Sequence, residues 1–82
     1  MNLRVPVVHL VELSLCQGRK LDLSDSDSFL ENGIIDSLSM MELVNQISTR
    51  FHVEVSDDDL VPENFDSIHG LLEFLARKGV SG

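Results

Sequence analysis

The stretch that decides the fold is GIIDSLSMMEL, from Gly33 to Leu43. It contains an Asp-Ser pair, two residue types that are favoured where a helix begins. At about 100° per residue, the segment from position 37 onward brings five apolar side chains onto one face. They are Met40, Leu43, Val44, Ile47 and Phe51. The spacing predicts a helix over residues 37–51 with this face buried in a core.

The same helix has a second face that core packing does not explain. Leu38, Met41 and Asn45 line up beside Glu42, away from the apolar stripe. Ser37 lies at the N-terminal end of this face. Two apolar side chains in such a position favour a surface that contacts another protein.

Two further helices are predicted, one on each side of this segment. Residues 3–15 form a helical stripe, and Pro6 is tolerated only in a first turn, so the helix should begin near Val5. The β-branched run VPVV leaves a strand there as an alternative. The last helix should start around Ser67, a favoured N-cap, and stop at Gly79. The inward residues are Leu3, Val7, Leu10, Val11 and Leu15 in the first helix and Ile68, Leu71, Leu72 and Leu75 in the last.

The connecting segments carry apolar residues that can attach them to the core. In the long loop over residues 20–35 these are Leu21, Leu23, Phe29, Leu30, Ile34 and Ile35. A short helix or helical turn is expected near Asp57–Leu60, because acidic side chains favour a helix N-terminus, and Pro62 should interrupt it. We therefore predict one all-α domain over residues 1–82, a small bundle of three main helices plus one short helix.

Composition and charge narrow the range of partners. The 82 residues include 14 acidic and 6 basic side chains, a formal net charge of −8, which disfavours binding to nucleic acid. No stretch reaches the roughly 18 apolar residues of a spanning helix, so membrane insertion is not expected. The apolar start is interpreted as part of the fold because His9 and Glu12 interrupt it. With one cysteine, Cys16, the chain fits a reducing compartment; a cytoplasmic monomer is expected.

Ser37 has three possible roles on residue chemistry alone. It can be a helix cap, or it can carry a phosphate, since a helix N-terminus favours an anion. A hydrolytic nucleophile would need an activating base, and His9, His52 and His69 are scattered with no nucleophile-elbow pattern around the serine. A serine that is presented but not activated favours a modification site.

The tract DSDSFLENGIID also permits a check for calcium. Asp25, Asp27, Glu31 and Asp36 fall at positions 1, 3, 7 and 12 of a twelve-residue loop. The sixth position is Leu30, where the sharp turn of such a loop requires glycine. No metal site is predicted.

The segment NGIIDSLSMMELVNQISTRF resembles the modification segment of acyl carrier and peptidyl carrier proteins, with Asp-Ser-Leu at the start of the second helix. The resemblance implies that Ser37 receives 4′-phosphopantetheine from coenzyme A through a separate Mg²⁺-dependent phosphopantetheinyl transferase, with Asp36 helping to orient the transfer. It places Leu38, Met41, Glu42 and Asn45 where carriers meet partner enzymes. Those partners would be an acyl- or aminoacyl-loading enzyme and a downstream synthase or transferase; the carrier itself is not an enzyme.

The sequence differs from carriers of fatty acid synthesis, and these differences indicate the type of pathway. Helix positions that are usually acidic there hold Ser39, Ser48 and Thr49. The ending DDDLVPENFDSIHGLLEFL is more similar to stand-alone carriers of polyketide, nonribosomal-peptide or amino-acid-loading pathways. Gly70 either lets two helices approach or lines an acyl cavity. The alternative function is an unmodified acidic helical interaction module in which Ser37 is only a helix cap.

Overall fold

The computed structural model describes residues 3–80 and confirms the all-α prediction. Its helices are α1 (Arg4–Leu15), α2 (Ser37–Phe51), α3 (Pro62–Phe65) and α4 (Ile68–Arg77), with a 3₁₀ turn at Asp57–Asp59. The described residues contain no strand, and the VPVV run is helical. Pro62 is the first residue of α3, so it does not interrupt the preceding turn; its missing N–H is not needed at that position.

The predicted apolar faces form the core. The buried apolar side chains are Val7, Leu10 and Val11 of α1, Leu43, Val44 and Ile47 of α2, and Ile68, Leu71, Phe74 and Leu75 of α4, together with Leu21, Phe29, Ile35, Val53 and Phe65 outside these three helices. Leu3, Leu15, Met40, Phe51 and Leu72 are half-buried against this cluster. The sequence prediction omitted Phe74, whose ring packs against Phe65 with centroids 5.1 Å apart.

The helices pack around α1 and α4. α1 contacts α2 and α4, and α3 contacts α4 and α2. A Cβ on Gly70 would overlap the backbone carbonyl oxygen of Glu63, so glycine allows α3 and α4 to pack together there. Among residues 3–80, no helix is long and apolar enough to cross a membrane.

The long loop between α1 and α2 is fixed by buried side chains and by Asp66. Phe29 has no exposed surface, and its N–H donates to the carbonyl oxygen of Asp66 at 2.7 Å. The Asp66 carboxylate accepts from the Ser28 hydroxyl at 2.5 Å and from the Leu30 N–H at 2.8 Å. The Leu30 side chain is 45% exposed, so the prediction that it faces the core is wrong: the backbone bond to Asp66 holds residue 30 on the outer side of the loop.

Candidate functional site

The N-terminus of α2 is capped by Asp36. Its backbone is extended (φ −125°, ψ −173°), and its Oδ1 accepts a hydrogen bond from the Ser39 N–H at 2.8 Å. Its carbonyl accepts from the Met40 N–H, also at 2.8 Å, which begins the regular helical bonding. Ser37 is the first residue inside the helix, so the interpretation of Ser37 as the cap is wrong.

The Asp36 carboxylate is held as an anion beside Ser37. The backbone N–H of Ser39 is the largest cause that lowers the pKa of Asp36 below its ordinary value, because a hydrogen bond to the charged form favours that form. The first turn of α2 contains no acidic residue. One fixed negative charge therefore lies at this helix end, on the residue that precedes the serine.

The hydroxyl of Ser37 is presented to solvent without an activating base. The residue is exposed, and within residues 3–80 no histidine is hydrogen-bonded to it. His52 ends the same helix, about 22 Å away at 1.5 Å per residue. His69 faces Glu73, with Nε2 2.5 Å from Oε1. His9 is an exposed residue of α1. The described residues therefore provide no hydrogen-bonded base for Ser37.

The second face of α2 is exposed, as the helical spacing of the sequence predicted. Leu38 is 75% exposed and Met41 is 48% exposed, and Glu42 and Asn45 are exposed as well. Met40, one residue from Met41, is half-buried against the core. Residues three and four apart share one side of a helix, so these four side chains form one surface that begins beside Ser37. We call Leu38, Met41, Glu42 and Asn45 the α2 face.

A groove between α1 and α2 extends this face. It has a volume of about 470 Å³, and its lining includes Leu13, Glu42 and Asn45. Leu13 is 56% exposed. Sequence reasoning missed it because residue 13 is off the inward stripe of α1. A helical wheel of α1 could have identified Leu13, because it is an apolar residue on the solvent side of the helix.

Three of the four acidic residues that fit the calcium pattern, Asp25, Asp27 and Asp36, bind other groups of the protein. Asp25 binds the guanidinium of Arg4 through both carboxylate oxygens, at 2.8 and 2.9 Å. Asp27 accepts from the Ser24 N–H at 3.0 Å. Within residues 3–80, no group of three His, Cys, Asp or Glu residues is placed to hold a metal ion.

The helix end fits a phosphate diester attached at Ser37. α2 is 15 residues long, and the N-terminus of a helix carries a partial positive charge with N–H groups that lack partners in the helix. Because Ser37 is exposed, a group on its oxygen would extend into solvent without displacing the core. The site can therefore hold an anion at the serine and a long substituent beyond it.

Comparison with known proteins gives a match to a protein family and a match to a solved structure. A family profile described as "Phosphopantetheine attachment site" matches residues 16–75. A chain of the solved structure described as "Crystal structure of FAD-dependent dehydrogenase" is 30% identical, with a TM-score of 0.71 over 85% of this chain and 99% of that one. No curated protein matches the sequence.

Proposed function

The chain belongs to the phosphopantetheine-attachment family of carrier domains, and from this premise we propose that Ser37 is the residue that holds the prosthetic group. Domains of this family carry a covalently attached 4′-phosphopantetheine and are typically not catalytic. The observation that carries the assignment is the Ser37 hydroxyl: it is exposed at the start of α2, and the cap is made by its neighbour. This serine has no structural task that competes with modification.

The residues around Ser37 have distinct roles in this proposal. The serine oxygen loses its proton and bonds to the phosphorus that carries the pantetheine, while the P–O–P bond of coenzyme A breaks and adenosine 3′,5′-bisphosphate leaves. The first turn of α2 stabilises the negative charge of the resulting phosphate diester. Asp36 caps the helix, and its carboxylate helps to orient the transfer. The bound group supplies a terminal thiol on a long arm, on which an acyl or aminoacyl group is held as a thioester.

The experiment is intact mass spectrometry after incubation with coenzyme A, Mg²⁺ and a broad-specificity phosphopantetheinyl transferase. The proposal expects a gain of one phosphopantetheine mass per chain. A second carrier protein in the same reaction serves as a control that the transferase is active. If that control is modified while the mass of this protein stays unchanged, the unmodified interaction module is favoured instead.

Two substitutions at Asp36 separate its capping role from its charge. Asn is as good an N-cap as Asp, so Asp36→Asn should leave the Tm nearly unchanged. If the carboxylate orients the transfer, the same variant should lose about tenfold in kcat/KM with the transferase, about 1.4 kcal/mol in transition-state stabilisation. Asp36→Ala should lower both the Tm and the rate. Equal rates for Asp36→Asn and the wild type would show that Asp36 acts only as a cap.

The α2 face is proposed as the docking surface for partner enzymes. Adaptable Met and exposed Leu side chains beside an acidic residue suit contacts that form and release easily. Leu38→Ala and Met41→Ala should each lower kcat/KM with the transferase by about tenfold, since apolar contacts at an interface centre carry much of its binding energy.

The matched control for docking is Leu30→Ala. Leu30 is 45% exposed and Met41 is 48% exposed, but Leu30 lies on the loop outside α2. Its replacement should leave the transferase kinetics unchanged. Similar losses for all three variants would mean that general surface hydrophobicity, and not the α2 face, determines the rate.

The proposed setting is a stand-alone carrier that serves a polyketide, nonribosomal-peptide or amino-acid-loading pathway. Ser39, Ser48 and Thr49 on α2 support a partner surface less acidic than that of fatty acid carriers. The similarity to a chain of an FAD-dependent dehydrogenase structure supports including a flavin-dependent dehydrogenase among the enzymes that act on the tethered group.

A further inference from the structure

A second groove lies near Ser37, at the junction of α1 with the loop that follows it. Its volume is about 480 Å³, within the range of about 300–1,000 Å³ typical of small-molecule sites. Its apolar wall is made by Leu15, Leu23 and Ile34, which are half-buried against the core. Within residues 3–80, none of its lining residues belongs to α2, so the groove is separate from the α2 face. We call it the loop groove.

The rim of the loop groove is polar and locally basic. Arg19 and Lys20 are exposed there with one acidic residue, Asp22, and with the amide side chains of Gln17 and Asn32. Two of the six basic residues of a chain with net charge −8 thus lie at one small site. A pantetheine arm alternates short aliphatic segments with amide and hydroxyl groups, so an apolar wall with donors along its rim matches its chemistry.

The groove is within reach of the attachment serine. Ile34 lines the groove and is three residues before Ser37; at 3.3–3.6 Å per extended residue, their Cα atoms are at most about 11 Å apart. The extended arm is longer than this separation. Its far end can therefore enter the groove while its phosphate stays at the N-terminus of α2.

We propose that the loop groove holds the distal half of the pantetheine arm, with its thiol or a small acyl group, between visits to partner enzymes. The proposal rests on attachment at Ser37. The arm lies against the apolar wall, and the donors of Arg19, Lys20 and Asn32 bind its amide carbonyls. The arm leaves the groove when a partner's active site binds the arm more tightly than the groove does.

Cys16 provides a test, because it also lines the groove. Burial raises the pKa of its thiol, and Glu12 raises it further, so Cys16 is mainly protonated at neutral pH and reacts slowly with reagents in solution. A thiol on the arm held beside it should nevertheless react. Diamide would oxidise the pair: two S–H bonds break, one S–S bond forms, and two electrons and two protons reduce diamide to the hydrazine.

The experiment treats the phosphopantetheinylated protein, at low concentration, with diamide and follows the intact mass. We expect an intramolecular disulfide, seen as the loss of two hydrogens. The matched control is the double variant Cys16→Ser with Ser14→Cys. Ser14 is half-buried like Cys16, two residues earlier on α1, but it lines the groove between α1 and α2. The disulfide should form at least about tenfold faster with Cys16 than in the control.

The two proposals fail in distinguishable ways. Equal rates, or a faster reaction in the double variant, would overturn the loop groove as the resting site while attachment at Ser37 stands. A protein that gains no arm before oxidation would overturn both proposals at once. A preference for Cys16 that disappears in Ile34→Glu, which places a charge in the apolar wall, would support the proposal further.

Discussion

Ser37→Ala is expected to abolish phosphopantetheine attachment completely while the protein stays folded. The transferase needs the serine oxygen as the atom that bonds to phosphorus, and alanine offers none. The fold should persist because the hydroxyl is exposed, Asp36 makes the cap, and alanine is the best helix former. Intact mass would show no gain under conditions that modify the wild type fully, and the Tm should change by no more than about 2–4 °C, since surface substitutions alter stability by about 0.5 kcal/mol or less.

The matched control for this prediction is Ser39→Ala. Ser39 is a second serine in the first turn of α2. Its hydroxyl helps to lower the pKa of Asp36, but the backbone N–H of Ser39 is the larger cause and is retained in alanine. This variant should be modified like the wild type. A mass gain that persists in Ser37→Ala but disappears in Ser39→Ala would move the attachment to the second serine, and a gain that persists in both would exclude the start of α2.

Helical periodicity predicted the main helices because it is a local property. The stripe over residues 37–51 determined both the buried side of α2 and the exposed side that carries Leu38 and Met41, and the structure shows both. The resemblance of the same segment to carrier proteins agrees with the family match over residues 16–75. These features depend on neighbours within one or two helical turns, which the sequence lists directly.

Features that depend on distant residues were missed. The outward position of Leu30 follows from a hydrogen bond to Asp66, 36 residues further along the chain, and no local pattern records it. Leu13 faces a groove that exists only because α1 packs on α2. Asp36 and Ser37 are adjacent, and both are favoured N-cap residues. Which of them is the cap depends on which one accepts the first hydrogen bonds of α2, and the residue types alone do not determine this.

Phe29→Ala is expected to destabilise the protein more than any of the other single substitutions proposed for it. Phe29 is fully buried although it belongs to a loop, and truncating a buried phenylalanine costs about 3–5 kcal/mol. Domains are stable by only about 5–15 kcal/mol, and a chain of 82 residues has a small core. The Tm should fall by at least about 12 °C, at roughly 4–8 °C per kcal/mol, as measured by circular dichroism during thermal unfolding.

Two neighbouring substitutions decide whether burial of the ring is the cause. Phe29→Leu keeps much of the apolar volume and should cost about 1–2 kcal/mol. Leu30→Ala changes the next residue, whose side chain is 45% exposed, and should leave the Tm within a few degrees of the wild type. Both variants keep the backbone hydrogen bonds of residues 29 and 30 to Asp66. If Leu30→Ala were as destabilising as Phe29→Ala, the loop would be anchored by the Leu30 side chain. This result would contradict the solvent-facing orientation of Leu30.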